Sequence, residues 1–195
     1  IRSALQSKYV DRVLVTTDNK DTADLARSFG AECPFLRSNN LAMEYVGLDS
    51  VIKDAVLHLE GSGYYPDLIV NLEETFPFRD HKLIDKMIVH LLKKGLDTII
   101  AAKLESGSIW RENEENLFIR LDSGDIPRAF KEKTYIGLKG LCCVTHTEFV
   151  RKESIIGNKV GLIEIASPLS FFEVRSDNDR KVALKLLKNS SILKE

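Results

Sequence analysis

Two carboxylates stand side by side at Glu73 and Glu74, directly after the apolar run 67–72. Paired carboxylates can hold a divalent cation through oxygen ligands; the same pair also fits a solvated loop beside a helix cap. Two other stretches occupy comparable places. Thr16-Thr17-Asp18 closes an apolar run at 13–15, and Trp110-Arg111 is reached by the loop after a run ending near Ala102. Open α/β sheets bind ligands beyond the carboxyl ends of their strands, which singles out these two stretches and the loop from Glu73 to Arg79. Zinc chemistry is not expected, because there is no CxxC and His58, His81, His90 and His146 are scattered. Cys33 is alone, and Cys142-Cys143 reads as small apolar residues of a buried strand. An odd count of cysteines without spaced pairs favours a reducing, cytoplasmic setting.

The elements that must carry these residues alternate. Residues 13–17 predict a buried strand, and 21–29 a helix with Ala23, Leu25, Ala26 and Phe29 at helical spacing, stopped by Gly30. A short strand is expected at 31–36, a helix at 48–59 and a buried strand at 67–72. Asp80 is placed to cap a helix running to Lys94, with Lys93 and Lys94 at its C-terminal end and Gly95 stopping it. A strand at 97–102 follows. Strands and helices joined this closely predict right-handed βαβ units, an α/β fold with a mostly parallel sheet covered on both faces. The second half reads differently, with strands at 117–121, 135–145 and 160–165 between longer polar loops, then a closing helix at 177–187.

The chain has 195 residues, 28 basic and 29 acidic side chains, and a formal charge of -1. This length suits one domain or two small ones. The charge balance argues against a general nucleic-acid binder. No apolar run approaches the 18 or so residues a membrane span needs. The opening Ile1-Arg2-Ser3 carries no methionine and no signal-peptide pattern, and reads as an interior point of a longer protein.

Several stretches together resemble one family, in order. They are Asp11-Arg12-Val13-Leu14-Val15-Thr16-Thr17-Asp18, Gly30-Ala31-Glu32-Cys33-Pro34-Phe35-Leu36-Arg37, Leu41-Ala42, Thr75-Phe76-Pro77-Phe78-Arg79 and Ile126-Pro127-Arg128-Ala129-Phe130-Lys131. They are similar to the cytidylyltransferases that activate nonulosonic and ulosonic sugar acids, the acylneuraminate (CMP-sialic acid) synthetases and their CMP-Kdo cousins. The resemblance implies a Rossmann-like sheet of the nucleotide-diphospho-sugar transferase type, in one domain over 1–195. It implies a β-rich section at about 117–167 that serves dimerisation and substrate binding. The implied reaction joins CTP and an acidic sugar into CMP-sugar and pyrophosphate, with magnesium offsetting phosphate charge. Homodimers are implied as well. By the same resemblance Arg37 and Asp18 belong at the nucleotide. Glu73, Thr75, Arg79, Arg111 and Lys131 belong at the sugar, and Glu173 and Glu74 at the metal. Residue readings left open for these cations are a surface salt bridge for Arg37, a helix-starting turn around Arg79, and solvated surface charge for Arg111 and Lys131.

The departures from the family pattern bear on chemistry. The family's Gln-Pro-Thr is Glu73-Glu74-Thr75 here, and the Kdo-type metal aspartate is absent at Thr75. The segment carrying two metal aspartates is Glu173-Val174-Arg175-Ser176, and a guanidinium only donates hydrogen bonds and repels a cation. Cys143, Lys139 and Ser123 replace a family tyrosine, asparagine and arginine. The family's basic, Gly-rich phosphate loop has no counterpart, so the chain is expected to start after it and not to turn over CTP by itself. Two other readings stay open: a non-catalytic relative acting as a binding or partner subunit, and a nucleotidyltransferase for another sugar with Glu73-Glu74 rebuilding the site.

Overall fold

The structure, a computed structural model, describes residues 1–122 and 124–189. Ser123 lies outside the described residues. Helices α1 (Arg2–Leu5), α2 (Lys20–Ser28), α3 (Leu48–Gly61), α4 (His81–Lys94), α5 (Thr147–Arg151) and α6 (Asp177–Asn189) surround a five-stranded sheet. Its strands are β1 (Leu68–Asn71), β2 (Thr98–Glu105), β5 (Thr134–Gly137), β6 (Cys143–His146) and β7 (Val160–Glu164). A separate two-stranded hairpin is formed by β3 (Trp110–Glu112) and β4 (Phe118–Arg120).

The α4 boundaries follow from their caps. Asp80 accepts a hydrogen bond from the Lys82 N–H at 2.9 Å, and Gly95 ends the helix in the left-handed region at φ 56°. Ile84, Met87 and Leu91 recur at helical spacing and are fully buried against Ile99, Ala101 and Val144 of the sheet. On β1 the side chains alternate. Leu68 and Val70 pack into the α4 cluster, while Ile69 joins Ile52 and Val56 of α3 with Val150 and Ile155. Period-two alternation thus places α4 on one face and α3 with α5 on the other.

The mostly parallel sheet expected from the sequence is corrected here. β6 lies between β1 and β2 and runs antiparallel to both, β5 is antiparallel to β2, and only β7 pairs with β2 in parallel. β1, β2 and β7 do run the same way, as βαβ winding requires, but the chain returns through β5 and β6 and threads an opposed strand between them. The predicted strand at 135–145 is in fact β5 and β6 joined by an excursion. The Leu138 N–H donates to the Ala101 carbonyl at 2.7 Å, and the Ala101 N–H donates to the Cys142 carbonyl at 2.9 Å. One residue of β2 therefore faces both ends of the excursion 138–142.

The section at about 117–167 does not stand apart, since β5, β6 and β7 are strands of the main sheet. The runs at 13–17 and 31–36 are not full strands. They meet at one parallel bridge, Leu14 with Glu32, flanked by bonds from Val15 N–H to Glu32 (2.8 Å) and from Glu32 N–H to Val13 (2.7 Å). All three cysteines are free and buried, as expected for Cys142-Cys143 in or beside a strand. Among the described residues no helix is long and apolar enough to cross a membrane.

Candidate functional site

Thr16, Thr17 and Asp18 follow the bridged segment, and the Arg37 N–H donates to the Thr17 carbonyl at 2.8 Å. This bond sets Arg37 beside Asp18, whose Oδ1 lies 3.4 Å from Arg37 Nη2. Thr17 Oγ1 accepts from the Asn19 N–H at 3.1 Å, and Asn19 in turn caps α2. Two polar atoms here are shut off from solvent without a partner, Thr16 Oγ1 and Arg37 Nε. Leaving such groups unpaired costs about 1–3 kcal/mol each, so they mark local strain beside the Asp18–Arg37 pair. Thr16 belongs to the stretch that its place after an apolar run singled out, although only Asp18 and Arg37 were expected at the nucleotide.

A second constellation forms beyond β1. The Glu73 N–H donates to the Gly140 carbonyl at 2.7 Å, bringing the excursion 138–142 onto the loop from Glu73 to Arg79. Glycine at 140 leaves room for the Glu73 carboxylate, since a Cβ there would lie 2.5 Å from its carboxyl carbon and push that side chain aside. Arg79 clasps the two segments from behind. Its Nε donates to the Leu141 carbonyl at 2.5 Å, and its Nη2 to the carbonyls of Glu73 at 2.5 Å and Gly140 at 2.9 Å. Burial pulls its affinity for the proton below the ordinary arginine value. Arg79, expected at the sugar, thus uses these donors to hold backbone that shapes the site.

The segment before α6 completes this corner. The Val174 N–H donates to the Thr75 carbonyl at 2.8 Å. Thr75 Oγ1 donates to Glu173 Oε1 at 3.4 Å, and Arg175 Nη2 lies 2.6 Å from the same oxygen. Glu73, Thr75, Arg79 and Glu173 are therefore brought together. Arg111 and Lys131 are placed with the β3–β4 hairpin and its flank instead. Arg111 is exposed on β3, and Lys131 Nζ lies 3.2 Å from Asp122 Oδ2.

Magnesium was expected at Glu173 and Glu74. The donor set does not fit a resident divalent cation. Glu173 is held by a guanidinium, Glu74 is exposed, and the described residues contain no group of three or more His, Cys, Asp or Glu that could hold a metal ion.

Around Lys131 lies a charge network that no motif indicated. Arg120 pairs with Asp122 and, at 2.7 Å, with Asp125, while its guanidinium carbon sits 5.6 Å from the centre of the Trp110 ring. Hydrogen bonds from Arg120 first, then Lys131, hold the Asp122 carboxyl down at about 2. A depressed carboxylate stabilises the fold above its unfolded pKa of about 4, and that contribution disappears as pH falls through the folded value. Trp110 is the single tryptophan. Its fluorescence is expected to stay constant down to about pH 4 and to change only as pH approaches 2. Asp122→Asn should remove that acid step, and a wild-type step centred above pH 4 would contradict the assignment.

The comparisons with known proteins fit this geometry. The fold is similar to a solved CMP-2-keto-3-deoxy-manno-octonic acid synthetase complexed with CTP, with a TM-score of 0.70 and 14% identity over 96% of this chain and 85% of that one. This likeness shows the Rossmann-like α/β fold. Over 84 residues the chain is 33% identical to the CMP-N,N'-diacetyllegionaminic acid synthase of Legionella pneumophila, covering 43% of this chain and 36% of that protein. Over 102 residues it is 24% identical to the pseudaminic acid cytidylyltransferase of Campylobacter jejuni, covering 52% and 44%. The chain thus spans less than half the length of these two curated relatives. A family model described as cytidylyltransferase matches residues 1–127, which include Asp18, Arg37 and the loop from Glu73 to Arg79, and the chain belongs to the cytidylyltransferase family.

Proposed function

We propose that the protein to which this chain belongs transfers a cytidylyl group from CTP to an acidic sugar of the nonulosonic or ulosonic class. The anomeric hydroxyl of the sugar attacks the α-phosphorus in line, the bond to the β-phosphate oxygen breaks, and pyrophosphate leaves. The observation that carries this reading is the pairing of Asp18 with Arg37 beyond the bridged segment, inside the stretch that the cytidylyltransferase model matches. Arg37 and Asp18 are assigned to the nucleotide, and the corner of Glu73, Thr75 and Glu173 to the sugar acid. Magnesium enters as the counter-ion of the triphosphate, as part of the substrate. The relatives' names, a CMP-N,N'-diacetyllegionaminic acid synthase and a pseudaminic acid cytidylyltransferase, support an acidic sugar of that kind as acceptor. We place the reaction in the cytoplasm, where CTP is available and three unpaired thiols stay reduced.

The test is pyrophosphate release by the full-length gene product with each of the four nucleoside triphosphates and a panel of sugar acids. Release with CTP and at least one 2-keto sugar acid is expected. No release with any acid would favour a non-catalytic subunit.

A homodimer is the second part of the reading. The β3–β4 hairpin and its flank expose Trp110 (54%), Leu117 (59%), Phe118 (66%) and Phe130 (77%). Apolar side chains exposed together mark an association surface, and a second copy of the chain is the occupant proposed. Sedimentation should give a dimer at micromolar concentration that Phe118→Glu with Phe130→Glu converts to monomer. A wild-type monomer would reject it.

A further inference from the structure

Glu173 is not waiting for a cation from solution, because it already has one. We propose that Arg175 is the fixed cation of this corner, standing against Glu173 where a divalent metal would otherwise sit and offering its free donors to an oxyanion of the ligand. The ligand class rests on the cytidylyl-transfer reading above; the claim that no metal sits at Glu173 does not.

The geometry is specific. Arg175 Nη2 lies 2.6 Å from Glu173 Oε1, the oxygen that also accepts from the Thr75 hydroxyl. Both neighbours of Arg175 are pinned. Val174 is bonded to the Thr75 carbonyl, and Asp179 Oδ2 accepts from the Arg175 N–H at 3.1 Å, the Ser176 N–H at 2.9 Å and Ser176 Oγ at 2.7 Å. The backbone that carries the guanidinium is therefore tied both to the Glu73–Arg79 loop and to the first turn of α6. Beyond it the side chain is 68% exposed. A guanidinium has five donors in a planar fork that matches carboxylate and phosphate oxygens, so those not used on Glu173 face the open side of the site. Glu73 contributes a second negative charge at Arg175, which keeps a positive group there favourable. A divalent ion at Glu173 would have to displace this guanidinium, or sit beside it at the cost of like-charge repulsion.

The substitution from carboxylate pair to carboxylate–guanidinium pair changes how charge is supplied. A metal exchanges with solution and answers to chelators. An arginine is always present and always charged.

Titration of the full-length protein with Mn2+ alone, followed by electron paramagnetic resonance, tests the first half. Wild type should show no Mn2+ site that Glu173→Gln removes. Arg175→Asp should gain one, and combining it with Glu173→Gln should remove it again. Should Arg175→Asp fail to fold, Arg175→Gln is read in the same way, because it removes the competing charge and leaves Glu173 without its guanidinium. Mn2+ bound to wild type and lost on Glu173→Gln overturns the proposal. The second half is read by calorimetry of Arg175→Ala with inorganic pyrophosphate and with 2-keto sugar acids. Loss of one charge-assisted hydrogen bond should weaken binding of one of them by about tenfold. Loss confined to pyrophosphate assigns the phosphate, loss confined to the acids assigns the carboxylate, and no loss in either overturns it. The Mn2+ arm needs no turnover. A protein that releases pyrophosphate yet holds Mn2+ at Glu173 refutes this proposal alone.

Discussion

Arg79→Ala is expected to destabilise the protein by about 2–5 kcal/mol, since each orphaned buried acceptor costs about 1–3 kcal/mol. The carbonyls of Glu73 and Leu141 lose the Arg79 donor, and that of Gly140 keeps only the Glu73 N–H, all in a partly buried place. For a chain of this size each kcal/mol moves the melting temperature by roughly 2–4 °C, so a fall of roughly 10 °C should be seen by calorimetry or denaturant titration. Arg79→Lys should recover only part of the loss, because an ammonium cannot span carbonyls on two segments as a planar fork does. If Arg79→Ala melts within a degree or two of wild type, Arg79 is not the clasp described here.

Arg37→Ala should do the opposite: weaken CTP binding without unfolding the chain. Its one ion pair, at 3.4 Å to Asp18, is worth little, since exposed pairs contribute about 0–1 kcal/mol. Its shielded Nε has no partner in the free protein. A ligand oxyanion that meets the accessible part of this guanidinium gains a charge-assisted bond worth roughly 1.5–3 kcal/mol, or about 10- to 100-fold in affinity. Calorimetric titration of the full-length protein with CTP measures this directly. Unchanged affinity removes Arg37 from the nucleotide site.

How far these residues could be read from sequence depended on whether their partners were local. Asp80 and Gly95 act within one turn of α4, so cap and stop were legible from composition and spacing. The faces of α3 and α4 were legible for the same reason. The direction of β6 was not, because apolar runs look alike whichever way they point, and only the return path through 138–142 decides it. Residues 13–17 have the composition of a strand, but strand geometry also needs partners, and here one bridge to Glu32 is all that forms. Arg79 shows the limit most clearly. A motif match indicates that an arginine stands there, but which carbonyls it serves depends on a segment some 60 residues away. The Arg120–Asp122–Lys131 network escaped notice because acids and bases are common in polar loops and their pairing is not written in the spacing. The Arg175 departure was visible in the sequence, whereas its contact with Glu173 was not.

The excursion between β5 and β6 leaves and returns at the same residue of β2, since Ala101 bonds to both Leu138 and Cys142. In a strand, adding or removing one residue normally turns every later side chain to the wrong face. Here the excursion is fastened at both ends to one residue, with Leu141 and Cys142 buried in the main core and the Gly140 and Leu141 carbonyls held by Arg79. Its length and composition are therefore tied to the packing of the sheet, and the corner at Glu73 is built on the core itself rather than on a loop free to vary.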